Sequence, residues 1–536
     1  MRIVIAQLNL LVGDIQGNTK KIINATREAC DKYSADVIVF PELSITSYPP
    51  EDLLYRPALY PAIDSALDEI SKHSYDIDLI IGYPEKIDNK LFNTCAHVSA
   101  GEIQNRYHKQ ELPNYSVFDE KRYFQPGSEC CVFDLKGVPV ALSICEDIWG
   151  KSVCSQAREA GARLIFNINA SPYHTNKIEL RKQVLSQRVK ESGLGIIYTN
   201  LIGGQDELVF DGASMAMDSS GNLCLLAPEF EEGLFVVEYS NGNMTSRESN
   251  AGKMLEKHEA IYKALILGVR DYAHKNGFDG AIIGLSGGID SALTLCIAVD
   301  ALGAENVMPV IMPSRYTLSM SVEDATKMCQ MLGVKYQTVS IEPPFKAFTS
   351  QLEPVFDGYT KSNATEENIQ ARCRGIILMA ISNKTGKLVL TTGNKSEMSV
   401  GYATLYGDMA GGFAPLKDIP KTMVYELSNW RNSVSKMIPQ RIIERPPSAE
   451  LRENQLDQDA LPPYEILDPI LERYIEQDQS PDEIVGAGFD SKIVEKVVKM
   501  VDRNEYKRRQ VAPGVRISQR AFGRDRRYPI TSGYRE

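Results

Sequence analysis

Two sets of residues in this 536-residue chain combine side-chain types at spacings that chemistry can use. The first is SGGIDS at 286–291, between the apolar run AIIGL at 281–285 and a stretch whose apolar positions recur at helical spacing. Gly287 and Gly288 remove side chains where backbone N–H groups must approach phosphate oxygens. Ser286 and Ser291 add hydroxyl donors, and the helix read from Ser291 onward turns its positive end toward an anion. No G-x-x-x-x-G-K-[ST] string occurs in the chain, so this is not the common nucleotide loop. The second set is Glu42 after VIVFP, Lys109 in RYHKQELPNY, and Cys145 at the end of VALSIC, ahead of Glu146 and Asp147. A thiol becomes a nucleophile when a cation favours its thiolate or a base takes its proton, and a lysine with a glutamate supplies both without histidine. Taken singly, each also has an ordinary reading: a core cysteine, a solvated lysine, a helix-capping carboxylate.

The elements that must position these groups follow α/β order. RIVIAQLNL, a helix over 18–33, DVIVFPEL, a helix over 58–73 and IDLIIGYP alternate, followed by VPVALSICED, ARLIFNINAS and LGIIYTNLIGG. The last three end in polar residues directly after their apolar cores, which places those side chains at one rim of a sheet. Residues 240–256 are polar with no sheet-like run, so a linker at 246–256 is expected to separate a domain at 1–245 from one at 257–536. The second domain reads as an opening helix over 257–276, the glycine loop, the strand NVMPVIMPSRYT, a helix over 321–332 and a third strand, KYQTVSI. That order matches a doubly wound parallel sheet. EENIQARCRG puts Gln370, Arg372 and Arg374 at the start of a helix, suited either to an anionic ligand or to surface ion pairs. After the apolar run KLVL come Thr392 and Glu397, then Asp408 in a glycine-rich stretch that reads either as a closing loop or as a plain flexible one.

A net charge of -11 and a pI near 5.3 argue against a general nucleic-acid or membrane surface, so an anionic ligand must be met by a local site. Ten cysteines at irregular spacings signal neither a disulfide framework nor a zinc site, and a reducing, cytoplasmic setting is expected. The apolar start at 1–13 reads as a strand, not a signal peptide, and no apolar run reaches spanning length.

PEL after a strand, HKxxLPN, and a strand ending in C-E-D together resemble the nitrilase superfamily over residues 1–239. That resemblance implies an αββα sandwich in which Glu42 is the general base, Lys109 stabilises the tetrahedral intermediate and Cys145 is the nucleophile. It further implies that Tyr115, Glu146, Ser171 and Lys177 line a glutamine pocket. SGGIDS resembles the loop of the N-type ATP pyrophosphatases, and MPSRYT, ENIQARCRG, TTGNKSE, LYGDMAGGFAPLKD, PPSAELR, LPPYEILD and KRRQVAPG extend the likeness to NAD+ synthetases, with the front domain to their glutamine-dependent branch. By that resemblance Ser286, Gly287, Gly288, Ile289, Asp290, Ser291, Thr392 and Lys421 meet ATP. Arg372, Glu397, Asp408 and Lys507 meet deamido-NAD+, and Asp290 with Glu397 binds Mg2+. One departure is noted: ammonia-only relatives carry a lysine where this chain has Thr404-Leu405-Tyr406, so that contact is not carried over. The implied substrates are ATP, deamido-NAD+ and glutamine or ammonia, with an enclosed passage for ammonia and a homo-oligomer, and with neither nucleic acid nor membrane as partner. GMP- and asparagine-synthetase-like enzymes share the loop but pair it with other glutaminases. A dinucleotide sensor without turnover is disfavoured by the retained metal carboxylates and the Glu–Lys–Cys set.

Overall fold

The computed structural model describes residues 1–74, 76–246, 253–359 and 363–534, which form two compact units, Met1–Lys257 and His258–Glu536. The first unit carries strands β1 (Arg2–Gln7), β2 (Val37–Val39), β3 (Asp78–Ile87), β4 (Lys90–Ser99), β5 (Glu102–His108), β6 (Val132–Leu135), β7 (Val138–Ile144) and β8 (Leu164–Asn169). Further along come β9 (Gly195–Asn200), β10 (Ile202–Gln205), β11 (Leu208–Asp211), β12 (Met215–Met217), β13 (Leu223–Leu226), β14 (Gly233–Ser240) and β15 (Asn243–Ser246). Its helices are α1 (Ile15–Tyr33), α2 (Leu59–Ser71), α3 (Ser152–Glu159) and α4 (Lys177–Ser192).

One sheet runs β15-β14-β1-β2-β3-β4-β5 and the other β13-β12-β9-β8-β7-β6. Because strand side chains alternate, each sheet buries two faces. Ile3, Ile5, Val39 and Ile80 from the first sheet share a core with Leu142, Ile144, Phe166 and Ile168 from the second. The alternate residues Val4, Ala6, Ile38 and Leu79 pack beneath α1 and α2. On the second sheet Ala141, Ile165 and Ile196 do the same beneath α3 and α4. This is the αββα sandwich that the sequence implies.

The second unit contains α5 (Lys257–Lys275), β16 (Ala281–Gly284), α6 (Ile289–Leu302), β17 (Val307–Ile311), α7 (Ser319–Leu332), β18 (Gln337–Thr338), α8 (Glu342–Leu352), α9 (Ala364–Thr385) and β19 (Leu388–Leu390). These are followed by α10 (Lys395–Val400), α11 (Lys421–Val434), α12 (Gln440–Glu444), α13 (Tyr464–Leu471), α14 (Pro481–Gly486), α15 (Ser491–Arg503) and α16 (Glu505–Arg508). Its sheet is parallel throughout, in the order β18-β17-β16-β19. Strand order therefore reverses at β16, and the crevice beyond the carboxyl ends of β16 and β19 is where such sheets take ligands. The carboxyl-terminal helices close a separate core of Leu467, Ile470, Val494, Val497 and Val501.

Three expectations change. The polar stretch assigned no sheet contains β15, which pairs antiparallel with β14; an edge strand needs backbone partners and only one buried side chain, Met244. Of the rest of the expected linker, 247–252 lie outside the described residues and 253–256 have no regular structure. KYQTVSI shrinks to the exposed two-residue β18, since it is an edge strand with little to bury. Finally, α9 begins at Ala364, capped by the Asn363 side chain, so Gln370, Arg372 and Arg374 lie within the helix and not at its start.

Candidate active sites

In the first unit β7 ends in a turn at Cys145, whose φ of 42° lies in the left-handed region that non-glycine residues rarely adopt. Asp147 holds that turn: its Oδ2 accepts from Ile144 N at 2.9 Å and from the Tyr107 hydroxyl at 2.8 Å. Its Oδ1 accepts from Gln110 N and Glu111 N at 3.1 and 2.8 Å, tying the cysteine turn to the segment that carries Lys109. Burial pushes the Asp147 carboxyl up to about 6 even with these donors.

Lys109 Nζ donates to Glu42 Oε1 at 2.7 Å and to Glu120 Oε1 at 2.9 Å. Asn93 Nδ2 and Ala170 N also donate to the two oxygens of Glu42, and Tyr48 donates to Glu120. Burial alone would lower the Lys109 ammonium, but Glu120 and Glu42 hold it well above its ordinary value, so it remains a cation. Burial and the Glu42 carboxylate push the Cys145 thiol up while Lys109 pulls it down, so the resting group is a thiol beside a base. Burial raises Glu120 to about 7, with Lys109 opposing and Glu42 adding to the rise.

Around this centre the half-exposed Tyr115 donates its hydroxyl to Glu146 at 2.9 Å. Ser171 is held by Arg181, whose Nη2 donates to its carbonyl at 2.7 Å and whose Nη1 pairs with Asp211 at 2.8 Å. Lys177, at the start of α4, lies 4.1 Å above the Trp149 ring. The arrangement can attack an amide carbonyl with sulfur, take up the thiol proton and stabilise an oxyanion.

In the second unit a cavity of about 490 Å³ opens at the crevice between β16 and β19. Ser286, Gly288, Ile289, Asp290 and Ser291 line it from the β16 side, and Thr392, Glu397, Asp408, Lys421 and Lys507 from later segments. Gly287 is required by the backbone: its φ is 81°, and a Cβ there would lie 2.3 Å from the Ser321 carbonyl oxygen. Ser286 Oγ accepts from Gly288 N at 3.2 Å and Ser291 Oγ donates to Gly288 O at 2.9 Å, which pins the loop from inside. Arg445 holds it from outside, donating to Gly287 O at 3.0 Å.

Lys421 Nζ pairs with Asp290 Oδ2 at 2.5 Å and Glu397 Oε1 at 3.2 Å. Asn394 caps α10 by accepting from Glu397 N and donates to Asp290 at 2.9 Å, so one residue orients both carboxylates. Burial raises Glu397 to about 8, against Lys421 and with Asp290. Lys507 Nζ donates to the carbonyls of Gly401 and Ala403, both at 2.8 Å, and Asp408 accepts from Thr404 N at 2.7 Å.

Set against known proteins, residues 2–247 match the carbon-nitrogen hydrolase family model and residues 261–511 the NAD synthase model. A glutamine-dependent NAD(+) synthetase of Xylella fastidiosa is 48% identical over 100% of this chain and 99% of its own length. One from Xanthomonas campestris is 49% identical over 100% and 98%. The solved glutamine-dependent NAD+ synthetase of Acinetobacter baumannii, in complex with ADP, is 46% identical over 99% of this chain and 98% of that one, with a TM-score of 0.81. The chain belongs to the glutamine-dependent NAD+ synthetases.

Within that family frame, the structure gathers Glu42 and Lys109 in one ion network beside Cys145, and ten of the residues proposed for the synthetase site around one cavity. Arg372 is not among the cavity-lining residues; its Nε donates to Leu405 O at 3.2 Å. Glu120, Asn93 and Asp147 had no role in the sequence reading, and the segment carrying Glu120 shows neither periodicity nor motif. In the second unit Arg445, Glu450 and Asp457 line the cavity without having been singled out, and Arg374, which the sequence offered either to an anionic ligand or to surface ion pairs, lines it as well. The carboxylates fit the Mg2+ that a NAD+ synthetase implies: Asp290 and Glu397 already converge on one cation, Lys421. Among the described residues no group of three or more His, Cys, Asp or Glu side chains forms a metal cage. A Mg2+ ion takes one or two carboxylates and completes its shell with phosphates and water.

Proposed function

We propose that this enzyme amidates deamido-NAD+ to NAD+ at the expense of ATP, drawing ammonia from glutamine, with Glu42, Lys109 and Cys145 as the glutaminase residues and the β16–β19 crevice as the synthetase site. The observation that carries the residue assignment is the pair of lysine-bridged carboxylate centres, one beside a buried thiol and one at a glycine loop. In the first, Cys145 Sγ attacks the glutamine amide carbon, its proton passes to Glu42, and Lys109 faces the oxygen that becomes negative. Collapse expels ammonia with the proton from Glu42, and water hydrolyses the thioester to glutamate. In the second, the loop at 286–291 receives the ATP phosphates and Lys421 stabilises the departing pyrophosphate. The nicotinate carboxylate displaces pyrophosphate from the α-phosphorus, and ammonia then displaces AMP. Mg2+, held by Asp290 and Glu397, would neutralise charge on the phosphates.

A homo-oligomer is proposed through the second unit, where α9 presents Ile376 and Met379 outward and Tyr406 is 69% exposed. A cytoplasmic setting is supported by ten free thiols. The test is purified protein with ATP, Mg2+, deamido-NAD+ and glutamine, assayed for NAD+, AMP, pyrophosphate and glutamate in equal amounts. Amidation of xanthosine monophosphate in place of deamido-NAD+ would overturn the substrate assignment.

A further inference from the structure

The cations lining the synthetase cavity are not equally occupied. Lys421 is bound by two carboxylates, Arg445 pairs with Glu450 at 3.3 Å, and Lys507 spends two of its donors on backbone carbonyls. Arg374 differs. An arginine carries five N–H donors, and among the described residues only Nε–H of Arg374 is engaged, on Met312 O at 3.3 Å. No carboxylate of a described residue pairs with it. The acidic groups that act on it are the Cys373 thiol and, more weakly, Glu450, whose carboxylate is already committed to Arg445 and the Ser321 hydroxyl. Burial accordingly lowers its pKa instead of a partner raising it. A half-buried guanidinium without a counter-charge is costly, and the cost is relieved if a ligand brings the anion.

Its place says which anion. Ile369, Cys373 and Leu378 fix α9 against Ile282, Val310 and Val389 of the sheet, and Arg374 lies with Ala371, Gly375 and Leu378 on the cavity side. Arg372, two residues earlier and about 200° around the helix, is turned to Leu405 instead. Met312 directly follows β17, and β17 runs beside β16, with Leu285 N donating to Val310 O. Arg374 therefore reaches the end of β17, beside the start of the glycine loop and across β16 from β19.

We propose that Arg374 is a phosphate-binding residue of the adenine-nucleotide site, donating two N–H groups to phosphoryl oxygen. This rests on the synthetase reading above. A forked guanidinium–phosphate pair would satisfy donors that no protein group takes and set the phosphate chain against the loop at 286–291.

The test is calorimetric binding of ADP and of adenosine to the full chain. Arg374→Gln is expected to weaken ADP by roughly 10- to 100-fold, the loss of a charge-assisted bidentate pair, and to leave adenosine unchanged. Arg374→Lys keeps the charge but not the fork, so a several-fold loss for ADP alone is expected. Melting of Arg374→Gln at or above the wild-type temperature is also expected, since a purely structural arginine would lower it. Equal losses for ADP and adenosine would make Arg374 a base-stacking or structural residue and overturn the proposal, as would unchanged ADP binding in both variants. Should Arg374→Gln fail to fold, unchanged ADP binding by Arg374→Lys overturns it alone. Wild-type protein that does not bind ADP would instead refute the nucleotide site itself.

Discussion

Each unit holds a lysine between two carboxylates, and the two centres differ in what lies beyond them. At Lys109 the ammonium side chain is 0% exposed and Glu42 and Glu120 are 1% and 5% exposed, so the charges are closed in and their geometry is set before any substrate arrives. At Lys421 the lysine is 2% exposed, but Asp290 and Glu397 are each 17% exposed into a cavity. A closed triad keeps its partners, and its carboxylate and ammonium act from fixed positions on the Cys145 thiol and the substrate it attacks. An open one can exchange partners, and a nucleotide with its cation needs that freedom. The same residue types thus serve as a fixed field in one unit and as a replaceable ligand shell in the other.

The comparison breaks most sharply at Cys145. Cys145→Ala removes the only atom that can form the thioester, so glutamine-driven NAD+ formation should fall by at least ~10³-fold, while ammonium-driven synthesis continues. Loss of a small buried side chain costs about 1 kcal/mol, too little to unfold a unit of this size. Folded Cys145→Ala protein that still uses glutamine at the wild-type rate would refute the scheme, and loss of the ammonium reaction would place the thiol in the wrong chemistry. Asp290→Asn should do the converse, lowering synthesis from either nitrogen source by about 10²- to 10³-fold and sparing glutamine hydrolysis measured alone. Because Lys421 keeps Glu397, the open centre should survive this change folded. Near-normal synthesis at limiting Mg2+ would remove Asp290 from the site.

Why these centres were partly legible follows from where their residues sit. Glu42, Cys145 and the loop at 286–291 all directly follow strands whose both faces are buried, and uninterrupted apolar runs advertise such strands. Thr392 comes after β19 in the same way, whereas Lys109 follows β5, a half-exposed edge strand with no apolar run. Glu120 lies in an irregular segment ending in a short 3-10 turn, where no periodicity marks a buried position. The choice between Arg372 and Arg374 depends on which face of α9 meets the sheet, and residues two apart on a helix point nearly opposite ways. Helix α9 has no clean apolar stripe, since Gln370 is buried and Ile376 is exposed. Edge strands β15 and β18 were mistaken for opposite reasons: one pairs through backbone with polar side chains, and the other has apolar neighbours yet little to pair with.

A third lysine sharpens the comparison with the smallest expected effect. Lys177 has no carboxylate within ion-pair distance among the described residues; burial and the nearby Arg181 cation lower it to about 8, with Cys145, Glu146 and Asp211 too weak to restore it. If its ammonium meets the carboxylate of glutamine in the pocket that the family resemblance implies, kcat/KM for glutamine hydrolysis should fall as pH rises through about 8, where the ammonium loses its proton. Lys177→Met should lower that parameter roughly 10-fold at pH 7 and flatten the limb, which separates it from titration of glutamine's own amino group. The stability effects of the two lysines should have opposite signs. For Lys177 the folded pKa lies below the unfolded value of about 10.4, so the protonated form opposes folding below pH 8 and the cost vanishes toward pH 10. Lys177→Met should therefore raise the melting temperature at pH 7, by an amount that shrinks with rising pH. Lys109 lies above its unfolded value, so its contribution is favourable below about pH 10, and Lys109→Met, leaving Glu42 and Glu120 buried without a cation, should lower the melting temperature at pH 7. Two variants that shift melting in the same direction would mean that burial, and not the presence of carboxylate partners, decides what a lysine does in this molecule.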